Sequence, residues 1–150
     1  MKKLFCLIVM MTMCLTVSYA QKTFDSGQLS LRNNIMSFLK EEGYVPTIDE
    51  DGDIQFKREG DVYFVSVSES DSAPYYVELM KLYGYGETYT KAKVTSLIPE
   101  INKYKMIKLM IGDSSWWFES EMFVSNSNAF TSVFNRILKA MDAAEEEVFE

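Results

Sequence analysis

No histidine occurs among the 150 residues of this chain. Ser-His-Asp triads, histidine acid–base catalysis and histidine metal sites are therefore excluded. The only cysteines, Cys6 and Cys14, fall within the first 20 residues. Downstream of them there is no thiol for a disulfide, a nucleophile or a zinc-thiolate centre. Basic residues are in deficit, 15 against 22 acidic ones, for a net charge of −7. Nucleic acid and anionic lipid both require basic surface, so neither is expected as a partner. The chain has no internal repeat, no low-complexity stretch and no Pro/Gly-rich linker.

The one long apolar run lies at the start. Lys2-Lys3 precede an apolar segment from Leu4 to Val17, and Ser18-Tyr19-Ala20 follows. A basic start, a short apolar stretch and a small-x-small exit make a secretory signal peptide over residues 1–20, cleaved after Ala20. The run is shorter than the ~18–20 residues that cross a bilayer as an anchor. An exported protein, periplasmic or secreted, is expected, with no membrane association once the signal is cleaved. Losing Lys2 and Lys3 leaves 13 basic residues against 22 acidic, a net charge of −9. The remaining residues, 21–150, are enough for one domain stabilised by its core alone.

Within that domain, Leu31, Ile35, Phe38 and Leu39 recur at helical spacing and predict a helix over 27–42. Asp25 or Ser26 caps its start, and Gly43 closes its end. Asp51-Gly52 and Glu59-Gly60 are hairpin turns. A three-residue loop, Glu50 to Gly52, sets Ile48 opposite Ile54 and Pro46 opposite Phe56. A tight turn at Glu59-Gly60 pairs Phe56 with Tyr63 and Ile54 with Val65. The resulting apolar face is Ile48, Ile54, Phe56, Tyr63, Val65 and Val67. A fourth strand covers 75–83.

A second helix over 87–104 carries Pro99, which bends or interrupts it. The last hairpin, 105–111 with 115–124, pairs Ile111 with Trp116, Leu109 with Phe118 and Ile107 with Ser120. Lys108 then meets Glu119 on the opposite face, and Met110 meets Trp117. Adjacent tryptophans point to opposite sides of a strand, so Trp116 is expected to be buried and Trp117 more exposed. A third helix starts at Ser127 or Asn128, with a fraying acidic end at Glu145 to Glu147. The order α-β-β-β-β-α-β-β-α predicts an α+β fold: an antiparallel sheet of five to six strands with three helices on one face.

Two segments carry a family resemblance. One is Leu39-Lys40-Glu41-Glu42-Gly43-Tyr44 leading into Asp51-Gly52-Asp53-Ile54-Gln55-Phe56. The other is Ile101-Asn102-Lys103-Tyr104-Lys105-Met106-Ile107-Lys108, followed by Phe118-Glu119-Ser120-Glu121. Over residues 29–141 the chain resembles the YbjN-like family, described as bacterial sensory transduction regulators. The resemblance implies a type III secretion chaperone-like fold and a chaperone-like or regulatory module that binds a protein or peptide. It carries no catalytic residues to transfer.

Candidate sites are few. Counted from Asp49, glycine is fourth and Gly60 twelfth, so the acidic stretch 49–54 does not match a calcium loop. Gly84-Tyr85-Gly86 is too short for a phosphate loop. No metal site and no cofactor are expected. Tyr75, Tyr76, Tyr83, Tyr85 and Tyr89 cluster within fifteen residues, where amphipathic rings serve either recognition or strand packing. Phe64, Tyr75, Tyr76, Tyr83, Tyr85 and Trp117 are the candidate partner-binding residues, and Phe64, Tyr76 or Trp117 could also form a homodimer contact. Glu119 and Glu121 share a strand face at a Cα spacing of about 6.6 Å, within the range of paired carboxylates in inverting glycosidases. With Trp117 as a sugar platform they define the rival expectation, a carbohydrate-binding or glycoside-hydrolysing protein. The leading expectation is a non-catalytic binding module. Export is checked by N-terminal sequencing of protein recovered from the extracytoplasmic fraction. Gln21 should be the first residue; Met1 at the terminus of cytoplasmic material would rule the signal out.

Overall fold

The computed structural model describes residues 23–68 and 72–149, and the expected signal peptide lies outside the described residues. Asp25 caps the first helix, α1 (Ser26–Glu41). Its carboxylate accepts the Gln28 backbone N–H, and the Gln28 side chain accepts the Asp25 N–H, both at 2.8 Å. This reciprocal box satisfies two donors that the helix start leaves free. Gly43, at φ +91°, closes the other end in the left-handed region. Leu31, Ile35 and Leu39 form the buried stripe of α1.

The strands are β1 (Thr47–Ile48), β2 (Ile54–Arg58), β3 (Asp61–Val67) and β4 (Tyr75–Gly84). The second helix, α2 (Lys91–Ile101), leads into β5 (Lys108–Ile111), β6 (Ser115–Val124) and α3 (Ser127–Phe149). They build a six-stranded sheet in the order β1-β2-β3-β4-β6-β5, antiparallel at every pairing. Among the described residues the fold is α+β with three helices, in the expected order of elements.

The register follows from turn chemistry. Gly52 is left-handed at φ +84°, and Ile48 sits opposite Ile54. Glu59 and Gly60 both take positive φ, which matches the twist of the flanking strands in a two-residue hairpin. That turn pairs Phe56 with Tyr63 and Ile54 with Val65. In the last hairpin, Leu109 faces Phe118 and Ile111 faces Trp116.

Four details differ from the sequence expectation. Ile48 is 40% exposed because β1 is a two-residue edge strand. The ladder ends at Thr47, since proline's fixed φ departs from strand geometry at Pro46. Helix α2 starts only at Lys91, where the Thr90 hydroxyl accepts the Lys93 N–H at 3.3 Å. It keeps Pro99 within it and stops two residues later. On the next strand, β5 begins after Ile107, so Ile107 and Ser120 are buried without being ladder partners. The Leu109 N–H turns instead to the Asn102 side chain, at 2.7 Å.

The fourth difference is the end of α3, which runs as helix to Phe149. Ala144 and Val148 are buried there. Glu145 accepts from Lys81 Nζ and from the Tyr83 hydroxyl, both at 2.5 Å. One turn earlier, Asp142 holds Arg58 through two hydrogen bonds of 2.7 and 3.0 Å. Lys81 projects from β4 into the core at 2% exposure, with Asp61 as its second carboxylate at 2.9 Å. Burial alone would lower the Lys81 pKa, but the bonds from Glu145 and Asp61 outweigh it and hold the ammonium above its ordinary value. Its stabilisation is full below the unfolded lysine pKa of about 10.4 and fades as pH rises through the folded value.

The buried residues Val77, Leu79 and Lys81 alternate along β4 with Tyr76, Glu78, Met80 and Leu82. Helices pack on the first set. Among the described residues, the second set lies on a sheet face that no helix covers. Removing the α3 carboxylate with Glu145→Ala should cost about 1–3 kcal/mol, a range reduced from fully buried pairs because Glu145 is itself 23% accessible. Urea unfolding at pH 7 measures it, and a change under about 0.5 kcal/mol would mean the pair does not hold the helix end.

Candidate functional site

Ten residues of β4 pair with ten of β6 across the middle of the sheet. The register sets Glu78 opposite Glu121, Met80 opposite Glu119 and Leu82 opposite Trp117. Side chains two apart on a strand share a face. Trp117, Glu119, Glu121 and Phe123 therefore join Tyr76, Glu78, Met80 and Leu82 on the uncovered side. Phe64 of β3 stands opposite Met80, and Met110 of β5 opposite Trp117.

Oxygens of Glu78, Glu119 and Glu121 all lie within 4.8 Å of one another. The Trp117 indole N–H donates to Glu119 at 2.7 Å. Glu121 accepts the Tyr76 hydroxyl at 2.5 Å and also pairs with the Lys108 ammonium. The backbone register sets Lys108 opposite Glu119 as expected, yet its side chain reaches diagonally to Glu121. Among the described residues, Glu78 and Glu119 have no ion-pair partner.

Each carboxyl responds to its surroundings. Burial pushes Glu119 up, and its residue is only 4% exposed. Burial also raises Glu78, and the Glu119 and Glu121 charges add to it. Glu121 moves the other way, held down first by the Lys108 ammonium and then by the Tyr76 hydroxyl. The Tyr76 hydroxyl is raised because Glu121 accepts its proton in a hydrogen bond. Like charges gathered on a partly desolvated face lower their energy by taking a proton or a cation.

Several chemistries can be weighed against this geometry. Oxygens of Glu119 and Glu121 lie within 4.8 Å of each other, whereas an inverting glycosidase keeps its carboxyls about 6.5–9.5 Å apart to admit a water. The three oxygens are a hard-cation donor set, but calcium takes about 6–8 oxygens and Lys108 already occupies one side of Glu121. What remains is an acidic patch framed by partly exposed aromatic and thioether side chains.

Of the six candidate residues, Phe64, Tyr76 and Trp117 come together on the uncovered face. Tyr75 and Tyr83 lie on the helix side, and Tyr83 stacks on Trp116 at 4.3 Å. Tyr85 packs against the core and donates its hydroxyl to the Gly112 carbonyl at 3.1 Å. Trp116 is buried and Trp117 partly exposed, as expected. Glu78, Met80 and Phe123 were missed by sequence reasoning. Their strand alternation was visible, but which strand lies beside β6 was not. Compared with protein-family models, curated proteins and solved structures, the chain matches none.

A raised carboxylate contributes stability that is complete below its unfolded pKa and lost as pH rises through the folded one. Glu119→Gln keeps an acceptor for Trp117 and removes the charge. The variant should melt higher than the parent at pH 7, and the gap should close as pH falls through the carboxylate range. Equal or lower melting at pH 7 would show that the Glu119 charge costs the fold nothing.

Proposed function

We propose that this chain is an exported, non-catalytic binding module that holds a cationic protein segment across the uncovered sheet face. The observation that carries the reading is the clustering of Glu78, Glu119 and Glu121 on that face, with one lysine among them. Charge complementarity selects the occupant. Arginine or lysine side chains would relieve two carboxylates that burial holds in a costly state, and the chain as a whole is acidic at −7.

The apolar surround supports a polypeptide over a lone ion. Phe64, Met80, Leu82, Met110 and Trp117 flank the acids, and Phe123 is 71% exposed at one end. Aromatic and methionine side chains are enriched where proteins meet, and Met adapts to varied partners. An extended segment alternating basic and apolar residues would set its charges on the glutamates and its apolar side chains on the rings.

A ten-residue peptide alternating arginine with leucine is the probe, with a glutamate-for-arginine version as control. Fluorescence anisotropy should show saturable binding of the basic peptide only, weakening as salt rises. Charge reversal by Glu78→Lys with Glu121→Lys should weaken it at least about tenfold, because like charges across an interface cost several kcal/mol. Equal binding of the acidic peptide, or no response to charge reversal, would end the proposal. A glycan that bound this face in competition with the peptide would move the assignment to carbohydrate.

A further inference from the structure

A second site lies on the helix side of the sheet, at the end of α3. Four aromatic rings meet there. Tyr83 stacks on Trp116 at an interplanar angle of 13°. Tyr89 stands at 88° to Phe149 with centroids 4.8 Å apart, and Trp116 lies 6.4 and 6.1 Å from these two. They border a cavity of about 260 Å³. That is smaller than the ~300–1,000 Å³ of pockets for drug-sized ligands, so a head group or single side chain fits it better.

Two residue choices at this cavity are not required by the fold. Gly84 and Gly86 line it, and neither adopts a left-handed φ. A Cβ added at either would meet nothing within 4 Å. With glycine at both positions, this part of the rim carries no side chain. Trp116 is the other choice. It is 1% exposed, and its indole N–H has no hydrogen-bond partner among the described residues. Burying an orphaned donor costs free energy that phenylalanine would avoid. Tryptophan's larger ring extends the aromatic wall that it shares with Tyr89 and Phe149.

Charge points the same way. Glu87 is the charged residue lining the cavity. The last turn of α3 has no basic residue and includes Glu146 and Glu147. The Lys81 ammonium sits 5.5 Å from the Tyr83 centroid and is already bonded to Glu145 and Asp61. Tyr83 is thus occupied and Trp116 is buried, which leaves Tyr89 and Phe149 as the rings open to a new cation.

We propose that this cage binds an alkylated ammonium group, borne by a small free cation or by a methylated lysine of a partner. Alkylation is specified because the walls are mostly ring surface. A lysine –NH₃⁺ must place three donors, whereas a quaternary ammonium places none. The site is separate from the acidic face and does not depend on it.

The test uses the protein with Trp117→Phe, so that fluorescence reports Trp116. Choline, tetramethylammonium and a trimethyllysine peptide are titrated, with 3,3-dimethylbutanol as the uncharged isostere of choline and the unmodified lysine peptide as control. Saturable change with the quaternary ligands, at least about tenfold tighter than with the two controls, is the expected result. Choline without the peptide would identify a free ligand, and tighter binding of the peptide a protein side chain. Tyr89→Leu should weaken binding about tenfold, and Gly86→Val should abolish it while leaving the circular dichroism of the fold intact. The exposed Gly86 site carries the test should Tyr89→Leu unfold. No saturable change with any quaternary ligand, equal binding of dimethylbutanol, or full affinity in folded Gly86→Val would overturn the proposal.

Discussion

The ten-residue pairing of β4 with β6 is the joint on which everything else depends. It is the one contact between strands that brings the first four strands and the last hairpin into a single sheet. It is also non-local, because α2 and β5 intervene along the chain. Closing such a loop costs entropy that only the completed ladder and the core beneath it repay. Both faces of the joint carry charge, and each face treats it differently. On the helix side Lys81 is buried between two carboxylates and two tyrosines, and it ties the sheet to the end of α3. On the open side three glutamates crowd together with one lysine. The first arrangement closes its charges; the second leaves charge outstanding.

That contrast is the physical basis of the proposal that the open face binds a partner. A structural ion pair is arranged so that each group finds its opposite. Glu78 and Glu119 are held desolvated beside further negative charge, a state that a domain selected only for stability would discard. The core shows the opposite habit. Phe56, Tyr63, Phe134 and Tyr44 interlock with centroids 5.0–6.2 Å apart where the sheet, the loop after α1 and α3 meet, in stacked, tilted and edge geometries.

Much of this was legible in the residues. Turn glycines at 52 and 60 set the hairpin registers, and the apolar pairs Ile111–Trp116 and Leu109–Phe118 set which face of β6 looks inward. Glu119, Glu121 and Trp117 were visible as one cluster on that reasoning alone. Glu78 was not, because strand order beyond adjacent hairpins leaves no local trace. The end of α3 was misjudged for a related reason. An acidic last turn is unfavourable by helix electrostatics, but a buried lysine two strands away reverses the sign at Glu145. Tyr75 and Tyr83 belong to the core because the period-two phase of β4 is set by Val77 and Leu79. Five tyrosines in one stretch give no phase by themselves.

The sheet's margins complete the picture. One edge strand has only two residues, and on the other the Leu109 N–H is taken by Asn102. Exposed ladders invite other chains to add themselves strand by strand, with little regard to sequence. Here the outermost strand at one border is two residues long, and at the other a side chain takes one of the outward donors. On the binding reading proposed above, a partner would then be selected by its side chains, through charge and shape, more than by added strand pairing, and the same short borders give neighbouring copies little to pair with.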